Sequence, residues 1–469
     1  MSAPAKFVTG STMRHVIVMA ATGSVGLVSI FIVDALNLFY ISLLGQSELA
    51  AVIGYAGTLI FFTVSISIGM SIAGTAITSR ALGAEDRERA RRLAGASLFF
   101  TGLTTTLFVS IAFPFLDVLV GMLGATGRTA ALTVEYMQIV LPSLPVIAVG
   151  MSMAGLLRST GDAKRAMFIT LIGGAATAVL DPIFIFALDL GIHGAALSTV
   201  ISRFTIVIAG YYFLRRIHDL LALPSLAVLT RSMRPYFAVA GPAIMTQLAT
   251  PVGNAFVTFE IASYGDSAVA GWAVVGRIIP VAFGALFAMS GAVGPILGQN
   301  YGAKRYDRLR STMRNSYFLM TVYVAVMCVI LALGRNQIAA LFDATGEAGD
   351  LVRFFCLFVS FSFLFNGLLF VSNAAFNNLG YAFYSTLFNW GRSAGVIPLV
   401  WLGSWLYGAE GALAGFGLSG VIFGLGAAFT CLKVIDQIAK TKPPKPPHAP
   451  DIRFPPAANS PFTSGKAAT

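Results

Sequence analysis

The chain of 469 residues is 57% hydrophobic and only 11% charged, and its formal net charge is +11. Soluble domains carry roughly 25% charged residues, so this composition excludes an ordinary globular domain and indicates a polytopic membrane protein. The positive charge is therefore interpreted through membrane topology, and we expect no nucleic-acid partner. Three cysteines, Cys328, Cys356 and Cys431, lie in apolar runs without metal-binding or disulfide spacing, and we expect buried, inert thiols.

Twelve apolar segments are long enough to cross a membrane, and they fall into two sets of six. They lie at about 15–44, 50–79, 93–122, 130–157, 164–189 and 193–214, and at about 233–264, 268–298, 315–342, 348–378, 382–407 and 410–435. The sequence thus predicts an all-α polytopic membrane protein with twelve transmembrane helices in two six-helix lobes. The predicted units are an N-terminal lobe at 1–214, a cytoplasmic linker at 215–232, a C-terminal lobe at 233–438 and a disordered tail at 439–469.

Basic residues are concentrated in alternate loops. Arginines and lysines cluster between spans two and three, four and five, six and seven, and eight and nine. The other loops offer little beyond Arg128 and Arg335. By the positive-inside rule the sequence predicts a multi-pass protein of a bacterial plasma membrane with both termini in the cytoplasm.

The two sets of spans repeat one another. Leu123–Gly127 recurs as Phe342–Gly346, and Leu82–Ala84 recurs as Tyr301–Ala303, each with an offset of 219 residues. Because each repeat has six spans, both enter the membrane from the same side, and their pseudo-twofold axis runs along the membrane normal. A cavity between two such lobes is typical of a secondary transporter.

The fifth span places a carboxylate beside a proline, at Asp181 and Pro182. A charged residue inside a membrane is costly, so it indicates a functional site. Pro182 has no N–H, so the carbonyl of Ala178 loses its helical partner and the helix is able to open locally. Thr177 lies one turn before Asp181 on the same helix face. The alternative is that Asp181 only accepts hydrogen bonds from neighbouring helices, beside an incidental kink.

Further polar residues lie at a similar depth when 1.5 Å is counted for each residue from the outer turns. Thr199 and Tyr136 are level with Asp181, and Asp34 lies about 16 Å from the outer edge. We expect these residues to meet in the outer half of the first lobe, where two carboxylates hold a proton or a monovalent cation. Arg203 lies one turn after Thr199, which leaves open a static ion pair with Asp181 instead.

The second repeat carries different residues at the matching positions. Asn254 stands where the first repeat has Asp34, and Pro398 stands where it has Asp181. Asparagines occupy one face of span ten and a tryptophan follows in span eleven, namely Asn366, Asn373, Asn377 and Trp390. This neutral, aromatic wall suits a substrate cavity, although hydrogen bonding between helices is the simpler interpretation of each amide.

These features together resemble a known family. Asp34 ahead of Leu44-Gly45, the Gly83-Ala84 loop and Leu180–Phe184 are similar to the MATE family, the multidrug and toxic compound extrusion transporters of the MOP flippase superfamily, in its DinF-like branch. The resemblance implies a secondary active efflux antiporter that exports amphiphilic, cationic compounds by alternating access, in exchange for protons or, alternatively, sodium. It implies that coupling depends on the first-lobe residues Asp34 and Asp181, with supporting hydroxyls from Thr199 and Tyr136. Thr177 is added to this set because it lies one turn before Asp181. No cofactor and no catalytic residue is expected.

Two departures from that branch affect the expected mechanism. The branch has a proline that bends its first span, but here the first span has none, so bending must use Gly23 or Gly26. Thr177 stands where an asparagine is expected, and Asn37 is the first lobe's only asparagine. Fewer carbonyl oxygens weaken a sodium site formed by Asp34 and Asp181, since hard cations prefer several oxygen ligands. The sequence therefore favours proton coupling.

Two rival functions remain open at this stage. A flippase of lipid-linked precursors needs cations around its cavity, and the sequence offers Arg203, Arg277 and Arg392. A membrane-embedded transferase needs a catalytic cluster, but His15, His193, His218 and His448 have no evident partner acid. For the efflux function we expect small amphiphilic substrates, a surrounding lipid bilayer and a monomeric protein.

Overall fold

The computed structural model describes residues 5–44 and 47–441, which are almost entirely helical and form no strand. The first lobe contains α1 (Thr12–Ser42), α2 (Ser47–Gly83), α3 (Arg87–Ala112), α4 (Leu116–Met122), α5 (Gly127–Val140), α6 (Leu144–Ser159), α7 (Ala163–Pro182) and α8 (Gly191–Tyr212). The second lobe contains α9 (Leu226–Ala262), α10 (Asp266–Gly302), α11 (Tyr306–Leu341), α12 (Gly346–Leu357), α13 (Phe363–Leu379) and α14 (Ala382–Thr441). Many of the exposed side chains on these helices are large and apolar, as expected of a protein whose surface faces lipid.

The fourteen helices make twelve membrane crossings. Short 3₁₀ turns at Phe113–Phe115, Leu141–Ser143 and Val359–Ser362 join helices into continuous crossings. The first two turns contain a proline, whose missing N–H interrupts the α-helical hydrogen bonds. The 60-residue α14 leaves helical geometry at Tyr407 and Gly408 and therefore contributes two crossings. The predicted twelve-helix, two-lobe fold is confirmed.

Ten helical segments in the described part of the chain are long and apolar enough to span a bilayer, and the two-span α14 is one of them. The 37-residue α9 is also long enough, although three prolines and several polar residues interrupt its apolar sequence. Its length of roughly 55 Å at 1.5 Å per residue exceeds the hydrocarbon thickness of a membrane. The protein is a multi-pass membrane protein.

A π-helical turn follows Pro182, as the missing N–H of proline predicts. The turn spans Ile183–Ala187 and continues α7 toward α8. Gly194 of α8 packs on this turn so closely that a Cβ atom there would lie 2.4 Å from the carbonyl oxygen of Phe184. Glycine is required at this position because only a bare backbone fits against the turn.

The lobes meet at the end that carries the basic loops, which we name the basic end; the opposite end is the outer end. Glycines bring the lobes together there. A Cβ atom at Gly83 would lie 1.9 Å from the carbonyl oxygen of Gln299, and one at Gly302 would lie 2.0 Å from that of Arg80. The backbones of α2 and α10 are therefore in direct contact at the basic end.

Hydrogen bonds reinforce this contact between the lobes. The Arg80 guanidinium donates to the carbonyl oxygens of Asn378 and Asn377, both at 2.8 Å. The backbone N–H of Phe7 donates to Oε1 of Gln299 at 2.8 Å. Within residues 5–44 and 47–441, every hydrogen bond that joins the lobes lies in the half of the molecule nearer the basic end. The lobes are closed at the basic end and part toward the outer end.

The connection between the lobes is shorter than the predicted linker at 215–232, since α9 already begins at Leu226. It lies against the first lobe: Leu220 and Leu221 are buried, and the carbonyl of Ala222 approaches Gly95. Leu223 is 99% exposed at the tip. At the other end of the chain α14 continues to Thr441, and the predicted tail from residue 442 onward lies outside the described residues.

Candidate functional site

The carboxylate of Asp181 is 1% exposed and is held by two side-chain donors from neighbouring helices. Nδ2 of Asn37, on α1, donates to Oδ2 at 3.0 Å. The hydroxyl of Ser198, on α8, donates to Oδ1. Hydrogen bonds from neutral donors satisfy a carboxylate without adding a positive charge, so either protonation state of Asp181 can be accommodated.

Local chain geometry positions this carboxylate. Asp181 is the last residue before Pro182 and the π-helical turn, where the helix no longer follows its regular hydrogen-bond pattern. Thr177 lies one turn earlier on the same face, is buried, and donates its hydroxyl to the carbonyl of Gly173 at 3.2 Å. Thr177 therefore lines the approach to Asp181 while its own hydroxyl hydrogen bonds to its helix.

Tyr136 links the remaining predicted residues to this site. Its side chain is 5% exposed, and its phenol lies near Thr199, whose hydroxyl donates to the carbonyl of Ala195 in its own helix. The charges of Arg203, Asp181 and Asp34 all act on the phenol. Asp34, Asp181 and Thr199 thus lie around Tyr136, and Thr177 lies one turn from Asp181; we name the set Asp34, Tyr136, Thr177, Asp181 and Thr199 the acidic cluster.

Asp34 differs from Asp181 in being exposed. It makes no side-chain hydrogen bond or ion pair with any residue in the described ranges. On α1 it follows Leu27 and Phe31 along one face, and both of these side chains meet Gly284 of α10 in the other lobe. Asp34 therefore lies on the face of α1 that turns toward the second lobe, one turn beyond Phe31.

Arg203 does not neutralise Asp181. Its Nη1 donates to the carbonyl oxygen of Val140 at 3.0 Å and to the hydroxyl of Ser143 at 2.6 Å, and no ion pair within 4 Å joins it to Asp181. The 3₁₀ turn explains this choice, because the N–H of Leu144 bonds to Leu141 instead of Val140. The carbonyl oxygen of Val140 therefore lacks this backbone N–H donor, and the guanidinium of Arg203 donates to it instead.

The asparagines of the second lobe are buried between helices. Asn366, Asn373 and Asn377 are at most 5% exposed. Oδ1 of Asn377 accepts the hydroxyl of Ser385 at 3.3 Å, whereas Oδ1 of Asn373 has no partner among the described residues. Trp390 donates its indole N–H to the carbonyl oxygen of Met245 at 2.9 Å. These contacts join helices, and Asn254 on α9 is the exposed member of the predicted set.

Two arginines of the second lobe differ sharply in burial. Arg392 is 7% exposed; its Nη2 donates to the Thr250 hydroxyl at 3.0 Å, and its Nε has no partner in the part of the chain that the structure describes. Arg277 on α10 is exposed and, over the same residues, makes no hydrogen bond or ion pair. A cation inside a membrane protein normally pairs, so both arginines require a functional explanation.

Two histidines do have acid partners, which corrects the sequence-based view that none does. His193 lies 3.2 Å from Glu135, and His218 lies 2.9 Å from Asp162. His193 lies in the first turn of α8 and Asp162 caps α7, and neither pair belongs to the acidic cluster. Over the described residues there is no group of three His, Cys, Asp or Glu that could hold a metal ion.

The Asp162 carboxylate also caps α7, accepting from the backbone N–H of Arg165 at 3.0 Å. Burial alone would raise the pKa of Asp162, but hydrogen bonds from His218 and Arg165 and the charge of Arg165 outweigh it and hold the pKa below its usual range. This cluster ties the α6–α7 loop to the connection between the lobes.

Comparison with known proteins identifies what the whole arrangement is similar to. A family model described as MatE matches residues 23–183 and 242–402, and the two matches are displaced by 219 residues, the offset of the internal repeats. The multidrug export protein MepA of Staphylococcus haemolyticus is 26% identical over 385 residues, covering 81% of this chain and 84% of that protein. The FAD transporter of Shewanella oneidensis is 23% identical over 436 residues, covering 91% of this chain and 96% of that protein.

Solved structures agree with these relatives. The Vibrio cholerae MATE transporter VcmN in its bent form has a TM-score of 0.86 and 25% sequence identity, covering 92% of this chain and 98% of that chain. A MOP superfamily transporter from Pyrococcus furiosus, at 19% identity, has a TM-score of 0.87 and shares the fold.

Proposed function

Since the chain belongs to the MATE family of multidrug efflux transporters, we propose that it is a secondary active antiporter that exports amphiphilic, cationic compounds in exchange for protons. The acidic cluster of the first lobe is the coupling site. Asp34 and Asp181 take up and release protons, and Tyr136, Thr177 and Thr199 line the site with hydroxyl groups.

The hydrogen bonding of Asp181 is the observation that carries this proposal. The carboxylate is buried and accepts hydrogen bonds from Asn37 and Ser198, both neutral donors, while Arg203, one turn after Thr199, is bound to Val140 and Ser143. A buried carboxylate without a cationic partner is suited to titration, because desolvation disfavours its charged form. A static ion pair would instead hold it permanently ionised.

Alternating access supplies the second half of the mechanism. The basic end faces the cytoplasm by the positive-inside rule, so closure at that end leaves the space between the lobes open to the outside. Protons reach Asp34 from this side, since its side chain is exposed beside the opening. Rocking of the lobes then opens the basic end and returns the site to the cytoplasm.

Proton coupling is preferred over sodium coupling on the chemistry of the donors. Sodium, as a hard cation, requires several oxygen ligands. The hydroxyls of Thr177 and Thr199 already donate to the carbonyls of Gly173 and Ala195 in their own helices, and Ser198 donates to Asp181. These hydroxyl oxygens keep their lone pairs, but the first lobe's only asparagine, Asn37, turns its Nδ2 toward Asp181, so few carbonyl oxygens face a cation, whereas a proton requires only a carboxylate.

Purified protein in liposomes loaded with ethidium tests the proposal. We expect an imposed pH gradient to drive ethidium movement, an equal sodium gradient to have no effect, and Asp34→Asn or Asp181→Asn to abolish the pH-driven transport. Asp117→Asn, at an exposed position of α4, is the matched control and should transport normally. Transport by Asp181→Asn against a gradient would remove that residue from the coupling site.

A second candidate substrate class follows from Arg392. Its buried guanidinium has an Nε without a partner among the described residues, and an anionic group of a substrate would satisfy it. One relative is named a FAD transporter, and FAD carries a pyrophosphate beside aromatic rings. Uptake of FAD by inverted vesicles, lost in Arg392→Gln while ethidium transport persists, would favour this class.

A further inference from the structure

Arg277 is a charged residue for which the fold provides no partner. It lies on α10, eleven residues from the outer end of the helix at Asp266, or about 16 Å along the axis at 1.5 Å per residue. Its side chain is exposed and makes no hydrogen bond or ion pair with the described residues. An arginine at this depth is costly and marks a site of function.

The packing of α1 against α10 fixes what lies opposite Arg277. The helices run antiparallel: Gly23 meets Ala288, with 3.5 Å between a Cβ built on the glycine and the alanine Cβ. One to two turns further out, Gly284 meets Leu27 and Phe31 at 3.6 and 3.5 Å. As the residue number increases along α1, it decreases along α10.

The same register, continued two turns toward the outer end, places Asp34 level with Arg277. Asp34 lies seven residues beyond Leu27, and Arg277 lies seven residues before Gly284, so each remains on the helix face that makes the contact. No ion pair within 4 Å joins them in this state, and both side chains are exposed. The two charges therefore lie on opposite walls of the opening.

Other charged groups near Asp34 belong to its own lobe or are already bonded. Asp181 on α7, Tyr136 on α5 and Arg203 on α8 belong to the first lobe, and Arg203 bonds to Val140 and Ser143. From α11, which contacts α1 near its start, Arg335 donates to the carbonyl of Ala332 at 2.6 Å. Arg277 is the cation that only the opposite lobe can bring to Asp34.

We propose that Arg277 is a coupling residue: it forms an ion pair with Asp34 when the outer halves of the lobes close, and so expels the proton that Asp34 acquires in the open state. This inference rests on the proposed proton-coupled function. In the step, the neutral carboxyl of Asp34 becomes a carboxylate paired with the guanidinium, and the proton passes to water at the basic end. An opposite charge within about 4–6 Å favours the ionised carboxylate, and exclusion of water strengthens the attraction.

The pair explains how lobe movement can drive proton release. A proton bound to Asp34 favours the open state, in which Arg277 is distant, and the ionised carboxylate favours the closed state. Each state thus has a different affinity for the proton, which is the requirement for coupling a conformational change to a ligand.

The experiment records protons released from purified, full-length protein in weakly buffered detergent solution after addition of ethidium, across a range of pH. For Arg277→Gln we expect the pH of half-maximal release to rise by about one unit or more, because a neighbouring cation typically shifts a carboxylate by 1–3 units. In liposomes the same variant should lose at least tenfold in pH-driven ethidium transport. Arg277→Lys should retain most of both activities, since a cation remains.

Two further variants separate this role from a general effect of charge. Arg335→Gln should release protons as the parent does. In the Asp34→Asn background, Arg277→Gln should leave the pH profile of the remaining proton release unchanged, since the two residues act as one unit. Thermal stability should be unchanged in Arg277→Gln because the side chain makes no contact that the substitution breaks.

The outcomes distinguish the inference from the proposed function. If the parent releases no protons and a pH gradient moves no ethidium, the proposed function fails. If the parent does both and Arg277→Gln matches it in pH profile and transport, the coupling role of Arg277 is wrong while the proposed function stands. An equal pH shift in Arg335→Gln would also overturn the assignment to Arg277.

Discussion

Ser198 is the side chain through which α8 holds the carboxylate of Asp181. Its hydroxyl is fully buried and donates both to Oδ1 of Asp181 and, at 3.1 Å, to the carbonyl of Ala195. Asn37 supplies the other donor from α1. Two helices are therefore tied to one acid, and a change in its protonation acts on both of them.

Ser198→Ala should weaken transport severalfold and destabilise the protein by about 2 kcal/mol, the typical worth of a hydrogen bond to a charged group. Thermal unfolding in detergent and pH-driven ethidium transport measure the two effects. Ser202→Ala is the matched control, because the Ser202 hydroxyl is equally buried but donates to the carbonyl of Thr199 in its own helix. Similar losses in both variants would contradict a specific role for Ser198.

Depth along a helix could be predicted from the sequence, but direction could not. Counting residues placed Thr199 level with Asp181, and the structure gives the hydrogen bond to its neighbour Ser198 instead. Adjacent residues differ in depth by only about 1.5 Å but in direction by roughly 100°. Two adjacent hydroxyl residues, Ser198 and Thr199, in an apolar span were the signal in the sequence that either one could bond to Asp181. Arg203 shows the same limit, since its long side chain reaches a carbonyl that only the 3₁₀ turn leaves available.

At the scale of helices, the π-helical turn at Ile183–Ala187 is the departure from regular geometry that lies next to the acidic cluster. The turn follows Asp181-Pro182 directly, and Gly194 of α8 rests on its backbone. Pro182 predicted an opening of the helix, because proline removes a donor. The close approach of α8 could not be predicted, because the presence of a glycine such as Gly194 in an apolar span does not by itself indicate which neighbour it packs against.

Gly194→Ala should destabilise the protein by about 1–3 kcal/mol, the usual cost of overpacking. The added Cβ would lie 2.4 Å from the carbonyl oxygen of Phe184, a backbone atom that cannot move aside cheaply. Thermal unfolding of the purified variant measures the loss. Gly102→Ala, where the nearest atom is a side-chain carbon at 3.6 Å, should match the parent. Equal unfolding temperatures for the two variants would contradict the predicted close contact.

The Asp162 cluster predicts a pH dependence of stability at the basic end. Its hydrogen bonds hold the pKa of Asp162 below the unfolded value of about 3.9, so their stabilisation is complete above that pH and is lost as the pH falls through the lower, folded pKa. Asp162→Asn should therefore lower the unfolding temperature at pH 7, and its difference from the parent should shrink below about pH 4. A difference that stays constant with pH would show that the charge is not responsible.

For the whole molecule, the decisive feature is that the lobes meet at the basic end through glycine backbones. Gly83 and Gly302 allow α2 and α10 to touch without intervening side chains. Twelve spans and two lobes followed from apolar length and from the internal repeat. The sequence could not predict which end of the molecule is closed. The two conformations of a transporter, open at one end or at the other, share one sequence and differ in free energy by only a few kcal/mol.

Gly83→Ala should shift the protein toward the state that is open at the basic end. A Cβ atom 1.9 Å from the Gln299 carbonyl oxygen prevents closure, and a cost of about 2 kcal/mol changes the ratio of states roughly thirtyfold. Ser79 is buried at the contact between the lobes. In a background without the native cysteines, Ser79→Cys should react faster with a maleimide when Gly83→Ala is present than when it is absent. Gly57→Ala, at an open position of α2, is the control, and equal rates in both would contradict the prediction.

The confinement of the acidic cluster to one lobe sets a bioenergetic limit. If protons couple through Asp34 and Asp181 as proposed, one transport cycle returns at most two protons, because the matching positions of the second repeat are Asn254 and Pro398. One proton exchanged for one monovalent cation moves no net charge, so such a cycle draws only on the pH difference. A second proton makes the cycle electrogenic and adds about 2.3 kcal/mol for each 100 mV of membrane potential. The choice between one and two protons thus decides whether the cell's voltage or only its pH gradient drives export.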